Sequence, residues 1–255
     1  EQNNWFAASD KKTLTPFIST QLVTKKYSGI ESPYNYGEVL QTGHVDTVIL
    51  LKKYREYLFK SGFFSDISFE YENLEVFKEH IRYKNVEAKH IVFAEGFGMH
   101  SNPYFKYLPL DGTKGELFII KAAGLVLDVI VNTSVFILPL GDNLFKVGAT
   151  YNWKEKNDLP SEEGKLELIE RIKEIITCDF EIMEHFAGVR PTVKDRRPLV
   201  GTHADYNSVH ILNGLGTRGV MLGPAMAIAL FDYIENEIPL DKEIDINRFL
   251  PKTKK

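Results

Sequence analysis

Val209-His210-Ile211-Leu212-Asn213-Gly214-Leu215-Gly216-Thr217-Arg218-Gly219-Val220 sets an apolar run, a glycine turn and the start of an apolar periodic stretch in one line, and Gly214–Gly219 is a literal G-x-G-x-x-G. Strand, glycine turn and helix form the local context of a dinucleotide-binding fingerprint. That fingerprint also needs a second strand and an acid about 20 residues on, inside a βαβ unit of about 30 residues. Residues 235–255 (ENEIPLDKEIDINRFLPKTKK) offer no second buried strand, so no ribose-binding acid can stand at its tip. The motif fails as the opening of a Rossmann unit, but its physics remains. Glycines allow close backbone approach, and a helix start offers unpaired N–H groups and a positive dipole end. The stretch therefore reads as a loop that cradles an electron-rich group at the far end of a ligand.

Working outward, helical and strand patterns interleave. Thr47–Ser61 is amphipathic, with Asp46 as N-cap and Gly62 as C-terminal stop. Ser161–Thr177 has a capping serine and two acids at its start, with Leu166, Ile169, Ile172 and Ile176 on one face. A third helix follows the glycine loop, and Pro224 fits it only near the first turn or at a kink. Expected strands are Glu38–Gln41, Ile67–Tyr71, Ile91–Ala94, Gly115–Ile120, Val126–Val131, Val135–Pro139, Leu144–Ala149, Phe186–Arg190 and Ser208–Leu212, with a hairpin turn at Gly141-Asp142-Asn143. The pattern predicts a mixed α/β chain with a large, partly antiparallel sheet.

The chain has 255 residues, 44% apolar and 26% charged, which suits one large globular domain or two small ones. A formal charge of −4 gives no broad basic surface and argues against nucleic-acid binding. The basic end Lys252-Thr253-Lys254-Lys255 reads as a solvated tail. The one cysteine, Cys178, excludes an internal disulfide and reads as a small buried side chain in a reducing, cytoplasmic setting. No run approaches 18 apolar residues, so no membrane span is expected. The start, Glu1-Gln2-Asn3-Asn4-Trp5, has neither an initiator Met nor a signal-peptide pattern, and suggests a fragment or processed product.

Two further motifs carry chemistry. Ala187-Gly188-Val189-Arg190-Pro191-Thr192 ends an apolar strand in an arginine, and Asp195-Arg196-Arg197-Pro198-Leu199-Val200-Gly201 follows. An arginine at a strand end suits a bidentate clamp on a carboxylate or phosphate; a salt bridge to a local acid such as Asp195 explains it equally well. Ile91-Val92-Phe93-Ala94-Glu95-Gly96 is a buried strand ending in Ala-x-Gly, which lets a backbone lie close to a ligand or simply makes a tight turn.

Taken in order along the chain, these motifs resemble the FAD-dependent D-amino-acid oxidase superfamily, nearest its glycine oxidase and sarcosine oxidase branch. The resemblance rests on Ile91–Gly96, Leu108–Glu116, the aromatic strand and Val-Gly-Ala-Thr of Val135–Thr150, Gly188–Gly201 and Asn213–Ala225, and spans about residues 36–235. It implies that Gly188 and the loop Gly214, Leu215, Gly216, Thr217, Arg218, Gly219 and Val220 line the flavin ring. It also implies that Ala94, Glu95 and Gly96 pass near the FAD phosphates or ribose. Arg190 would grip the substrate carboxylate, and Phe136 stands in the substrate pocket where glycine oxidases have a tyrosine. Lys146 falls where sarcosine oxidases place a lysine that assists reaction with oxygen, a lysine that glycine oxidases lack; an exposed strand residue is the alternative reading. No metal is implied. His185 could face the pocket or be a satisfied structural histidine.

The family begins with a strand and a G-x-G-x-x-G for the ADP half of FAD. About 100 residues of that kind are lacking at the front of this sequence. The resemblance divides the chain into a partial FAD-binding subdomain (46–100 and 185–245) and a substrate-binding subdomain (1–45 and 101–184). The leading expectation is the C-terminal portion of an oxidoreductase that takes a small amine or amino acid as substrate and passes hydride to flavin. A non-catalytic module of the same fold, or a tRNA-modifying oxidase of the same superfamily, are the alternatives.

Overall fold

The computed structural model describes residues 2–250, so the basic end Lys252–Lys255 lies outside the described residues. In chain order the elements are α1 (Gln2–Ser9), β1 (Ile18–Val23), β2 (Tyr36–Val39), α2 (Thr47–Lys60), β3 (Leu74–Val76), β4 (Ile81–Tyr83), β5 (Val86–Ala88), β6 (Ile91–Phe93), β7 (Thr113–Lys121), β8 (Val131–Asn132), β9 (Phe136–Gly141), β10 (Leu144–Gly148), α3 (Glu162–Lys173), β11 (Glu181–Arg190), β12 (Leu199–Thr202), β13 (Val209–Asn213) and α4 (Gly219–Glu235). The mixed α/β class is as expected. The chain forms two compact units. One takes the described residues up to Ser65 with Glu116–Thr150 and Pro160–Phe186; the other takes Asp66–Gly115, Tyr151–Leu159 and the described residues from Ala187 on. These units cut the chain at other points than 46–100 with 185–245 and 1–45 with 101–184. Residues 46–65 fall in the first unit, and 101–115 with 151–159 in the second. Part of the reason is local: Lys114 and Asn152 exchange both backbone hydrogen bonds at 2.9 Å, tying 151–159 to the start of β7.

The first unit is built on antiparallel strands. β10 pairs with both β7 and β9, and β9 with β8. The β9–β10 turn has Asp142 and Asn143 both at positive φ (51° and 60°), the conformation a two-residue hairpin needs. Phe118, Ile120, Ile137, Phe145 and Val147 point to one face and pack against Leu168 and Ile172 of α3. The expected face of α3 is thus shifted. Gly164, Leu168 and Ile172 are buried while Leu166 is exposed, because the i, i+4 ridge starting at Gly164 is the one that meets the sheet. Ser161 caps α3 as expected, its Oγ accepting the Gly164 N–H at 3.0 Å. Asp46 likewise caps α2, accepting from Ile49 N–H at 3.0 Å. The periodicity of α2 correctly gave a helix, but among the described residues it buries none of its side chains.

The core of the second unit gathers Phe93, Met99, Phe105, Leu199, Val209 and Ile211 around the sheet β12-β13-β6, in which β13 runs parallel to β6 and antiparallel to β12. A meander, β3-β4-β5, lies in the same unit. Two expected strands do not form. Phe69 stacks on Tyr83 with centroids 4.3 Å apart, and a 3-10 turn begins at Tyr71, so ring packing holds 67–71 without a ladder. Of Val126–Val131 only Val131 enters a strand, the two-residue β8.

Candidate functional site

In the second unit, backbone bonds draw four motifs together around the end of β11. Pro191 has no N–H, but its carbonyl accepts the Gly216 N–H at 3.0 Å. The Thr192 carbonyl accepts from Asp111 and Gly112, at 2.8 and 3.3 Å. Asn213, at the end of β13, donates from Nδ2 to the Gly96 carbonyl (2.9 Å) and accepts the Gly214 N–H (2.8 Å). The loop after β6, the loop before β7, the arginine strand and the glycine loop therefore lie side by side in the second unit.

The glycines differ in their reasons. Gly214 has φ +69°, and a Cβ there would press on Val193 and Leu199, so the fold itself requires it. Gly216 is also at positive φ (+56°), with only Thr192 Oγ1, at 3.8 Å, near where a side chain would begin. Gly188 is unlike both. It sits inside β11 with no positive φ, and apart from its chain neighbours no atom of the described residues lies within 4 Å of where a Cβ would stand. A glycine inside a strand is destabilising by roughly 0.5–1 kcal/mol relative to alanine, and no close packing among the described residues calls for one here.

Arg190 lies two residues beyond Gly188, hence on the same side of the strand. Its Cζ stands 4.6 Å from the centroid of the Tyr151 ring. Burial pushes its pKa down from the ordinary guanidinium value and Tyr151 opposes that shift; the group stays charged. Asp195, the local acid considered from sequence, is held by Arg248 (Nε to Oδ2, 2.9 Å). At the start of α4, Arg218 occupies the cap position without a side-chain cap bond, and its guanidinium donates instead to the Arg196 carbonyl at 2.9 Å. The helix start is therefore not covered by a capping side chain.

Glu95 is engaged within the chain. Its carboxyl accepts from the Tyr71 hydroxyl and from Asn102 Nδ2 (2.7 Å), and burial together with this carboxyl raises the Tyr71 phenol above its usual range. Gly96 beside it has φ +57° and no chain atom within 4 Å of a Cβ position.

Phe136 and Lys146 belong to the first unit. Lys146 lies across from Ile119 and Leu138, and Phe136 across from Gly148, so both occupy the sheet face opposite to the buried Phe145 and Val147. His185 takes the structural role: its Nε2 is 2.7 Å from Oε2 of Glu116, off the line of an aligned hydrogen bond, and its ring meets the edge of Phe118. Cys178 is partly buried against the first unit's core. A groove of about 790 Å³ in that unit, lined by Phe118, Ile169, Phe180 and His185 among others, contains none of the expected site residues. Among the described residues no group of three or more His, Cys, Asp or Glu is placed to hold a metal. None of the described helices is long and apolar enough to cross a membrane. Tyr151 and Tyr71 were not singled out from sequence; each meets a partner remote in the chain, Arg190 and Glu95, which no local pattern announces.

The family pattern described as FAD dependent oxidoreductase (DAO) matches residues 15–233. The chain belongs to this family. It is 29% identical over 155 residues to a glycine oxidase of Bacillus licheniformis, a match covering 58% of this chain and 42% of that protein. It is 26% identical over 167 residues to the tRNA 5-methylaminomethyl-2-thiouridine biosynthesis bifunctional protein MnmC of Marinobacter nauticus, covering 59% and 26%. The solved glycine oxidase of Bacillus cereus superposes with a TM-score of 0.69 at 19% identity, covering 94% of this chain and 70% of that one, and shares its fold. The chain thus spans less than half the length of the glycine oxidases it matches in sequence.

Proposed function

We propose that this chain carries the flavin-ring end and the substrate-recognition end of an oxidoreductase that oxidises a small amine or amino acid. The observation that carries the reading is Gly188: a strand glycine with open space where a side chain would stand, two residues before a half-buried arginine. A flat ring lying against β11 accounts for that space; packing within the chain does not. The residues present fit FAD: Gly188 leaves its side-chain position open on the ring side, Gly96 leaves its own open where the phosphates or ribose would pass, and the start of α4 has no capping side chain. FAD, when bound, would accept a hydride from the carbon bearing the substrate nitrogen.

The chain's own contributions are positional and electrostatic. Arg190 orients a substrate carboxylate through in-plane N–H donors. The amides and dipole of α4 favour negative charge at the ring edge they face. Lys146 and Phe136 keep the roles the resemblance implies, as a cation assisting reaction with oxygen and as a pocket wall. The ADP half of the cofactor finds no equivalent G-x-G-x-x-G opening a βαβ unit in this sequence, so tight FAD binding by this polypeptide alone is not part of the proposal. A charge of −4 favours a small-molecule substrate over RNA.

Two outcomes test this. Gly188→Val fills the open space. It is expected to leave the melting temperature unchanged or raised, since a β-branched residue suits a strand, while weakening FAD binding at least tenfold by flavin fluorescence quenching. Equal FAD affinity in both forms would remove the ring from β11. In the intact protein with amino-acid substrates, Arg190→Ala is expected to raise KM about a hundredfold, a loss of a charge-assisted pair; an unchanged KM would remove the clamp.

A further inference from the structure

Resting on that reading of Arg190, we propose that Gly115 and Tyr151 are positioning residues that fix its guanidinium, and that they restrict recognition to substrates bearing a carboxylate. A methyl group at position 115 would overlap the Nη1, Nη2 and Cζ atoms of Arg190. Gly115 therefore lends its side-chain space to the guanidinium, which lies against the backbone of β7. The Tyr151 ring, 58% exposed, stacks on the same group. A guanidinium braced in this way recognises an anion only through its in-plane N–H donors, the geometry a carboxylate matches with two parallel bonds.

Tyr151 is itself held in place. Asn152, the next residue, exchanges both backbone hydrogen bonds with Lys114, the residue before Gly115. The Lys114 side chain is 1% exposed and donates from Nζ to Glu155 (2.5 Å) and Asn157 (3.1 Å). Lys156 returns to Asp111 (3.0 Å) and to the Gly112 carbonyl (2.7 Å). The first residues of β7 thus face two ways: Lys114 anchors the loop that carries Tyr151, and Gly115 makes room for the arginine that Tyr151 covers. An amine lacking a carboxylate would gain nothing from this arrangement.

The test uses the full chain with benzoate as probe and benzamide as its neutral isostere, read by isothermal titration. Protection of Arg190 from phenylglyoxal, read by peptide mass, is the second readout. Benzoate is expected to bind and to protect Arg190, and benzamide to do neither. Tyr151→Leu is expected to weaken benzoate about tenfold, the scale of a partly desolvated cation–π contact. Tyr151→Phe, which keeps the ring, should stay within about twofold. Gly115→Ala should abolish protection. Should Gly115→Ala fail to fold, Tyr151→Leu carries the test, since the exposed ring adds little to stability. Benzoate affinity unchanged in Tyr151→Leu but lost in Arg190→Ala would overturn the positioning role alone. Benzoate binding that survives Arg190→Ala, or is absent from the wild type, would overturn the clamp reading on which it rests.

Discussion

Glu116→Ala is expected to lower the unfolding free energy by about 2–4 kcal/mol, the scale for leaving two buried donors without their charged acceptor. Glu116 is 2% exposed, in β7. Its carboxyl accepts the Ser161 hydroxyl at 2.6 Å and the Ser161 N–H at 3.0 Å, and stands 2.7 Å from His185 Nε2. The same serine hydroxyl accepts the Gly164 N–H, so one carboxyl fixes the cap of α3. Gly164 is glycine because a Cβ there would overlap that carboxyl. Truncation would leave the two Ser161 donors without their acceptor in the interior. Ser161→Ala, which removes the cap but leaves the carboxylate with His185, should lose only about 1 kcal/mol. Chemical denaturation of the two variants checks both values, and equal losses would show that the cap, not the carboxyl, holds this corner.

The second large effect is a loss of stability in mild acid traced to His210. This residue of β13 is 2% exposed, with Nε2 3.0 Å from His90 Nδ1 and Nδ1 2.7 Å from Thr202 Oγ1. Burial, and secondarily the neighbouring His90, push its pKa from 6.5 down to about 4. The folded chain thus resists the proton that the unfolded chain accepts. Its contribution is intact above pH 6.5 and is lost as the pH falls toward 4. At about 1.4 kcal/mol per unit, the full loss is about 3 kcal/mol. His210→Gln, which cannot charge, should show a shallower decline between pH 6.5 and 4 in thermal or urea unfolding. A variant that tracks the wild type across that window would place the acid sensitivity in the carboxylates instead.

Much of the candidate site was legible in the sequence because its parts are local. The glycine loop after β13, the arginine before Pro191 and the Ala-x-Gly after β6 each announce a backbone conformation within a few residues. The caps Asp46 and Ser161 and the hairpin at Asp142-Asn143 were legible for the same reason: a cap or a turn is decided by neighbours in the chain. What failed was the reading of faces and partners. Leu166 looked as apolar as Leu168, and Ile67–Tyr71 looked as strand-like as Ile91–Phe93. Only the sheet that α3 meets, and the ring that Phe69 stacks on, decide between them.

By itself, the order of motifs from Ile91 to Ala225 determined the family resemblance, the alternation of helix and strand, and Gly188 and Arg190 as residues of interest. Tertiary structure alone decided what surrounds them. It left the space over Gly188 open, laid the guanidinium of Arg190 on Gly115 beneath Tyr151, and set His185 beside Glu116 at the wall of the first unit's groove. The physical reason is range. Backbone conformation is set by steric and hydrogen-bond terms acting over a few residues. Which side chain lies against which glycine depends on strands brought together from remote parts of the chain, and one sequence carries no local mark of that pairing.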